Sequence, residues 1–153
     1  MNYFPAAGIV PYVKINETVF YLLGKEKSNG KWSGFIGNCK PDDLSIYNTA
    51  IREFNEETCC IYKDYLVSIN NLLIKTEPLI VKNKNKNIYI FFLKFPERFF
   101  NNSTTYEFLK NLNLNNNPEY GEKEKLGWFC EKSINGNNGI LHSLKTILKN
   151  KKF

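Results

Sequence analysis

Apolar and β-branched residues crowd the first 26 positions. "AAGIVPYVKI" and "TVFYLLGKE" read as two strands joined by the polar turn "NET". "KSNGKWSGFIGN" follows as a glycine-punctuated loop around a short apolar piece. From about Ser45 to Thr58 the period changes. Tyr47, Ala50, Ile51 and Phe54 recur at spacings of three and four, which predicts a helix packed on a sheet. Ser45 suits its N-cap, with Asp42 or Asp43 as alternatives. "YLVSINNLLIKT" and "NIYIFFLKF" flank the basic turn "KNKNKN" and read as a long hairpin or two sheet strands. The stretch 96–118 is Asn-rich and weakly patterned, with "TYEFLKNL" as a short helix. "EKLGWFCEK" reads as a last strand. "GILHSLKTILKNKK" closes the chain as an amphipathic helix, its lysines in the last turn where they suit the helix dipole. Strands mixed with two main helices, without regular βαβ alternation, favour an α/β or α+β fold with a mixed β-sheet.

A length of 153 residues fits one domain, 1–153, with no linker and no internal repeat to divide it. No apolar run reaches the roughly 20 residues that span a bilayer, so no membrane partner is expected. "MNYFPAAGIVPYVKI" lacks a basic segment, apolar stretch and cleavage site in series, which makes a cytoplasmic location the default expectation. The four cysteines, Cys39, Cys59, Cys60 and Cys130, form no C-x-x-C pair, and His142 is the single histidine. Zinc would need scattered ligands, so buried, reduced thiols are expected instead.

The net charge is +6, which attracts polyanions such as nucleotides or RNA. All but two of the 21 basic residues are lysines, and most are dispersed. Abundant Lys, Asn, Ile, Tyr and Phe also follow from an AT-rich genome, such as that of a large DNA virus or a parasite.

Against this basic background, "AIREFNEETCC" places Glu53, Glu56 and Glu57 beside Arg52 near a helix end. At 100° per residue the three acids share an arc of roughly 100°. They repel one another, and they sit where the helix dipole favours cations. Arg52 can pair with Glu56 at i,i+4 but cannot neutralise all three. A hard divalent cation with oxygen ligands can do the rest. A solvated acidic face is the plainer alternative, at only a few tenths of a kcal/mol per like-charge pair.

The longer stretch "GNCKPDDLSIYNTAIREFNEETCC" resembles the Nudix box, G-x5-E-x7-R-E-U-x-E-E-x-G-U, where U is bulky and aliphatic. Arg52, Glu53, Phe54, Glu56 and Glu57 stand in register with its core. "GKWSGFIGN" is similar to the W-x-x-x-G-G lead-in of that family, and "EYGEKEKLGWF" to its late acidic loop and Trp-bearing strand. The box covers about a sixth of the chain. Three departures stand out. Gly37 lies one residue too far from Arg52, Leu44 occupies the place of the upstream acid, and Cys59 replaces a glycine. With the extra residue absorbed in the loop, Asp43 would supply the missing carboxylate.

The resemblance implies a Nudix-type α/β/α sandwich with a mixed β-sheet flanked by helices. It implies Mg²⁺ or Mn²⁺ as cofactor, with Glu53, Glu56 and Glu57 as ligands and Arg52 orienting them. For the base it offers either a carboxylate within the box or the loop before the last strand, with Glu119, Glu122 and Glu124; Glu122 is the expected base and a further ligand. Trp32, Tyr3 and Phe4 are candidates for stacking on a base, and Lys25, Lys27 and Lys31 for the phosphate approach. Gly37 and Asp43 belong to the expected substrate-binding loop. The implied reaction is metal-dependent hydrolysis of a nucleoside di- or triphosphate, or of a nucleoside diphosphate linked to another group. Two alternatives stand beside it: hydrolysis of a 5′-capped RNA held by the Lys-rich turn, and a non-catalytic nucleotide-binding module. The sequence leaves oligomeric state open, a dimer included.

Overall fold

The computed structural model describes residues 5–83, 85–101, 103–114, 121–135, 139–140 and 142–149. The two opening strands form as read: β1 (Ala6–Ile15) and β2 (Thr18–Glu26) pair antiparallel, with Tyr12 opposite Tyr21. They then splay apart. Two short strands, β3 (Trp32–Ser33) and β4 (Phe35–Asn38), fill the gap, β3 pairing with β2 and β4 with β1. β5 (Leu79–Asn83) and β6 (Lys86–Lys94) form a hairpin whose second strand runs parallel to β1. β7 (Lys123–Cys130) lies antiparallel along the other side of β2. The sheet is therefore mixed, with β1 at its centre.

Helices cover both faces. α1 (Ile46–Glu57), α2 (Leu66–Lys75) and α3 (Thr104–Leu114) belong to one side, α4 (Glu131–Asn135) and α5 (His142–Lys149) to the other. Between the sheet and α1–α3 lies a core rich in aromatics, including Phe35, Phe54, Tyr62, Phe91, Phe95 and Phe108. Phe54 meets Phe35 edge-on at 5.3 Å and stacks on Tyr62 at 5.5 Å. A second core sits under α4 and α5, with Val10, Tyr21, Leu23, Phe92, Ile134 and Leu144. Helices on both faces of a mixed sheet make the α/β/α sandwich that the sequence led us to expect. Among the described residues, no helix is long and apolar enough to cross a membrane.

The structure corrects one element. "YLVSINNLLIKT" is not a strand; its residues 66–75 form α2, and the hairpin partner of β6 is the following "LIVKN". Leu66, Ile69 and Leu73 recur at helical spacing and face the core, whereas Val67 and Ile74 are exposed. Apolar residues outside the core-facing positions, Val67 and Ile74 among them, hid that period. The stretch "EKLGWFCEK", read as a strand throughout, is strand only to Cys130; Glu131 and Lys132 open a separate short helix, α4, before α5.

Serine 45 caps α1 as expected, its Oγ accepting from the Asn48 N–H at 3.3 Å. At the other end Cys59 and Cys60 both adopt left-handed backbone, with φ of 52° and 61°. Cys59 is buried and burial pushes its thiol up to about 11, while Cys39, Cys60 and Cys130 are half-buried; none of the four is joined in a disulfide. Left-handed geometry strains any residue with a Cβ. We expect Cys60→Gly to raise stability by about 0.5–1 kcal/mol in a denaturant melt, because it removes strain at little loss of burial.

Candidate functional site

The core-facing stripe of α1 is Thr49, Ala50, Glu53, Phe54 and Glu57. Two carboxylates thus occupy positions where packing alone would favour apolar side chains. Glu57 is only 4% exposed. Its Oε2 is buried without a hydrogen-bond partner among the described residues. Such an arrangement costs several kcal/mol unless something compensates it. Burial pushes the Glu57 carboxyl well above the ordinary 4.5; Lys123 opposes the shift, and the neighbouring Glu53 and Glu122 add to it.

Glu122 comes from the loop before β7, and Lys27 N–H holds its carbonyl at 3.0 Å. Glu53, Glu57 and Glu122 each bring one carboxylate oxygen within 4.8 Å of the others. Three converging carboxylates, one of which carries an orphaned buried oxygen, fit a cation that takes oxygen ligands. Beside them opens a cavity of about 510 Å³, walled by Glu26, Lys27, Ile36, Glu57, Glu122 and Lys123.

Arg52 fastens the other side. Its Nε and Nη2 donate to the two oxygens of Asp43 at 3.0 and 2.9 Å. Its Nη1 reaches Glu53 at 3.0 Å and Glu56 at 3.3 Å, and Nη2 also donates to the Asn38 carbonyl at 3.0 Å. The guanidinium holds the Asp43 carboxyl well below its usual range. Asp43 is further fixed by Thr49 Oγ1 at 2.8 Å and by the Lys40 N–H at 2.8 Å. The displaced acid of the sequence motif therefore faces Arg52. It orients the arginine from across the loop instead of joining the three converging carboxylates. Leu44, at the motif's own position, is 91% exposed.

Gly37 is explained by the same packing. A Cβ on it would overlap the Glu53 carboxylate, so only glycine lets α1 bring that acid against β4. We expect Gly37→Ala to displace Glu53 and weaken Mn²⁺ uptake about tenfold or more, measurable by calorimetry.

Not every expected residue reaches the site. Glu56 turns to Arg52. Trp32 packs its ring edge-on against Phe129 at 4.8 Å in the core under α4 and α5. Lys25 pairs with Glu124 at 3.2 Å, and neither residue is part of the cavity wall. Lys27 does line the cavity. Tyr3, Phe4 and Glu119 lie outside the described residues, as does the side chain of His142. Sequence reasoning missed Glu26 and Lys123, which line the cavity, and Ser33, which hydrogen-bonds to both. The run "EKEK" gives no sign of which lysine turns inward.

No protein-family model matches the chain, and no curated protein matches it in sequence. Solved structures share its fold. An Ap4A hydrolase of C. elegans, solved as a binary complex, is 18% identical, covering 95% of this chain and 93% of its own with a TM-score of 0.55. A mutT/nudix family protein from Listeria innocua is 15% identical, at 97% and 91% coverage and a TM-score of 0.58. The NUDIX domain of Shewanella oneidensis NrtR, complexed with ADP ribose, is 11% identical, at 97% and 86% coverage and a TM-score of 0.59. At these identities the likeness is one of fold: the sandwich is that of the Nudix proteins.

Proposed function

We propose that this protein is a metal-dependent hydrolase of phosphoric anhydride bonds, acting on a nucleoside di- or triphosphate or a nucleoside diphosphate-linked compound. The convergence of the Glu53, Glu57 and Glu122 carboxylates, with one buried Glu57 oxygen left unpartnered, carries this reading. These three residues would hold Mg²⁺ or Mn²⁺. When bound, such an ion neutralises phosphate charge and polarises the phosphoryl group. Arg52, clamped by Asp43, keeps Glu53 and Glu56 aimed and prevents their repulsion from opening the helix end. Glu122 sits on a loop at the cavity wall and is the acid best placed to accept a proton from an attacking water. The fold neighbours, which include a named Ap4A hydrolase and a domain solved with ADP ribose, support a substrate of the nucleotide class.

A second reading, hydrolysis of a 5′-capped RNA, is favoured by one contact. Lys86 at the start of β6 donates to the Asn38 side chain at 2.5 Å, and the carbonyl of the same Asn38 accepts from Arg52. Lys86, at the end of the basic turn, and Arg52 therefore share Asn38 as a partner.

One assay separates the readings. The protein is incubated with Mg²⁺ and a nucleotide panel plus capped RNA, beside Glu56→Gln and Glu57→Gln. Metal-dependent phosphate or diphosphate release from nucleotides, lost in Glu57→Gln, is the expected result. Cap release with inert free nucleotides would promote the RNA reading. Nucleotide binding without turnover would leave a non-catalytic module.

A further inference from the structure

Lys123 is the least expected buried residue of the site. It is 3% exposed, and lysines are rarely buried so fully unless paired. Its Nζ donates to Ser33 Oγ at 2.6 Å and to the Gly34 carbonyl at 3.2 Å. Glu26 stands 3.8 Å away and itself accepts from Ser33 Oγ at 2.8 Å. Room for the stem comes from Gly24, where a Cβ would lie 2.8 Å from Lys123 Cδ. The ring of Phe35 lies below, 5.8 Å from Nζ. The fold thus builds a slot for one lysine and turns its charge into the cavity that Glu57 and Glu122 share.

That charge is not what positions the three converging acids. Glu57 and Glu53 are fixed by α1, and Glu53 also by Arg52 and the space over Gly37. The backbone of Glu122 is held by Lys27 and by the adjoining β2–β7 ladder. What Lys123 gives the acids is charge. With Arg52 on one flank and Lys123 on the other, the cluster already carries two resident cations. A divalent ion entering it is attracted by the carboxylates and repelled by the ammonium of a lysine that lines the same cavity.

We propose that Lys123 is a resident counter-cation of the acid cluster, positioned to weaken its hold on divalent ions so that they are taken up and exchanged readily instead of locked in place. The inference rests on the reading that Glu53, Glu57 and Glu122 hold such an ion. It adds a residue that sets affinity without being a ligand.

The test is Mn²⁺ binding followed by electron paramagnetic resonance in the full chain, with no substrate present. Wild type is compared with Lys123→Met, Lys123→Gln and Lys123→Arg. Gln keeps donors for Ser33 and the Gly34 carbonyl, so it serves if Met does not fold. Both neutral variants are expected to bind Mn²⁺ about tenfold more tightly than wild type at low ionic strength, with the gap shrinking in high salt. Arg is expected to bind as wild type does. A purely structural lysine would give the opposite pattern, with weaker binding in every variant. Wild-type uptake with no gain in Met or Gln overturns this inference and leaves the metal site standing. Absence of uptake in every chain removes both.

Discussion

Glu57→Gln is expected to lower turnover by about 100-fold or more while raising the stability of the metal-free protein. On the proposed reading Glu57 would touch the ion directly, and its loss should matter at least as much as that of outer groups, which costs about 10–100-fold. The gain in stability follows from burial. Glu57 is held against Glu53 and Glu122 with one oxygen unpartnered, so the folded state disfavours its ionised form. Its folded pKa lies above the ordinary 4.5, so the folded state binds more protons than the unfolded one across the window between them. Stability of the metal-free protein therefore falls as pH rises through that window, and stays lower above it. Glutamine removes this loss, worth about 2 kcal/mol. Thermal melts in chelator at pH 5 and pH 8 check it: the variant should gain on wild type at the higher pH. Equal melting points at pH 8 would show that Glu57 is not strained in the folded protein.

Arg52→Gln is expected to fail in both respects, losing about 3–5 kcal/mol of stability and most activity. Its guanidinium is the shared partner of Asp43, Glu53 and Glu56, and removal leaves three crowded acids without it. The Asp43 pair also has a pH signature of opposite sign to that of Glu57. Its folded pKa is depressed, so its contribution is present above about pH 4 and is lost as pH falls through the lowered value. Asp43→Asn should flatten the acid limb of the stability profile below pH 4 and cost about 2 kcal/mol at neutral pH. A variant with an unchanged acid limb would show that the Arg52–Asp43 clamp contributes nothing.

Much of the sandwich was legible because its strands obey simple patterns. β1, β2, β6 and β7 fall where β-branched and aromatic runs lie between polar turns, and α1 follows its period and its serine cap. α2 was not legible: six of its ten residues are apolar, and such a run does not distinguish strand from helix until its core-facing positions are known. Of the site, the motif pointed to Arg52, Glu53, Glu56 and Glu57, of which Glu56 turns to Arg52, and the late acidic loop pointed to Glu122. The periodicity treated the acids as a face beside the core. The structure instead puts Glu53 and Glu57 within the core-facing stripe. That difference turns an ordinary acidic surface into an unsatisfied one. The role of Asp43 depended on how one extra loop residue is absorbed, and Lys123 on which member of an alternating charged run turns inward; both are set by tertiary packing.

The most direct measurement is a crystal of the wild-type protein soaked in Mn²⁺, read by anomalous scattering at the manganese edge. The account predicts a peak in direct contact with carboxylate oxygens of Glu53, Glu57 and Glu122, with Arg52 still clamped to Asp43. No peak, or one ligated by Glu56 and Asp43 while Glu57 stays buried and bare, would contradict it.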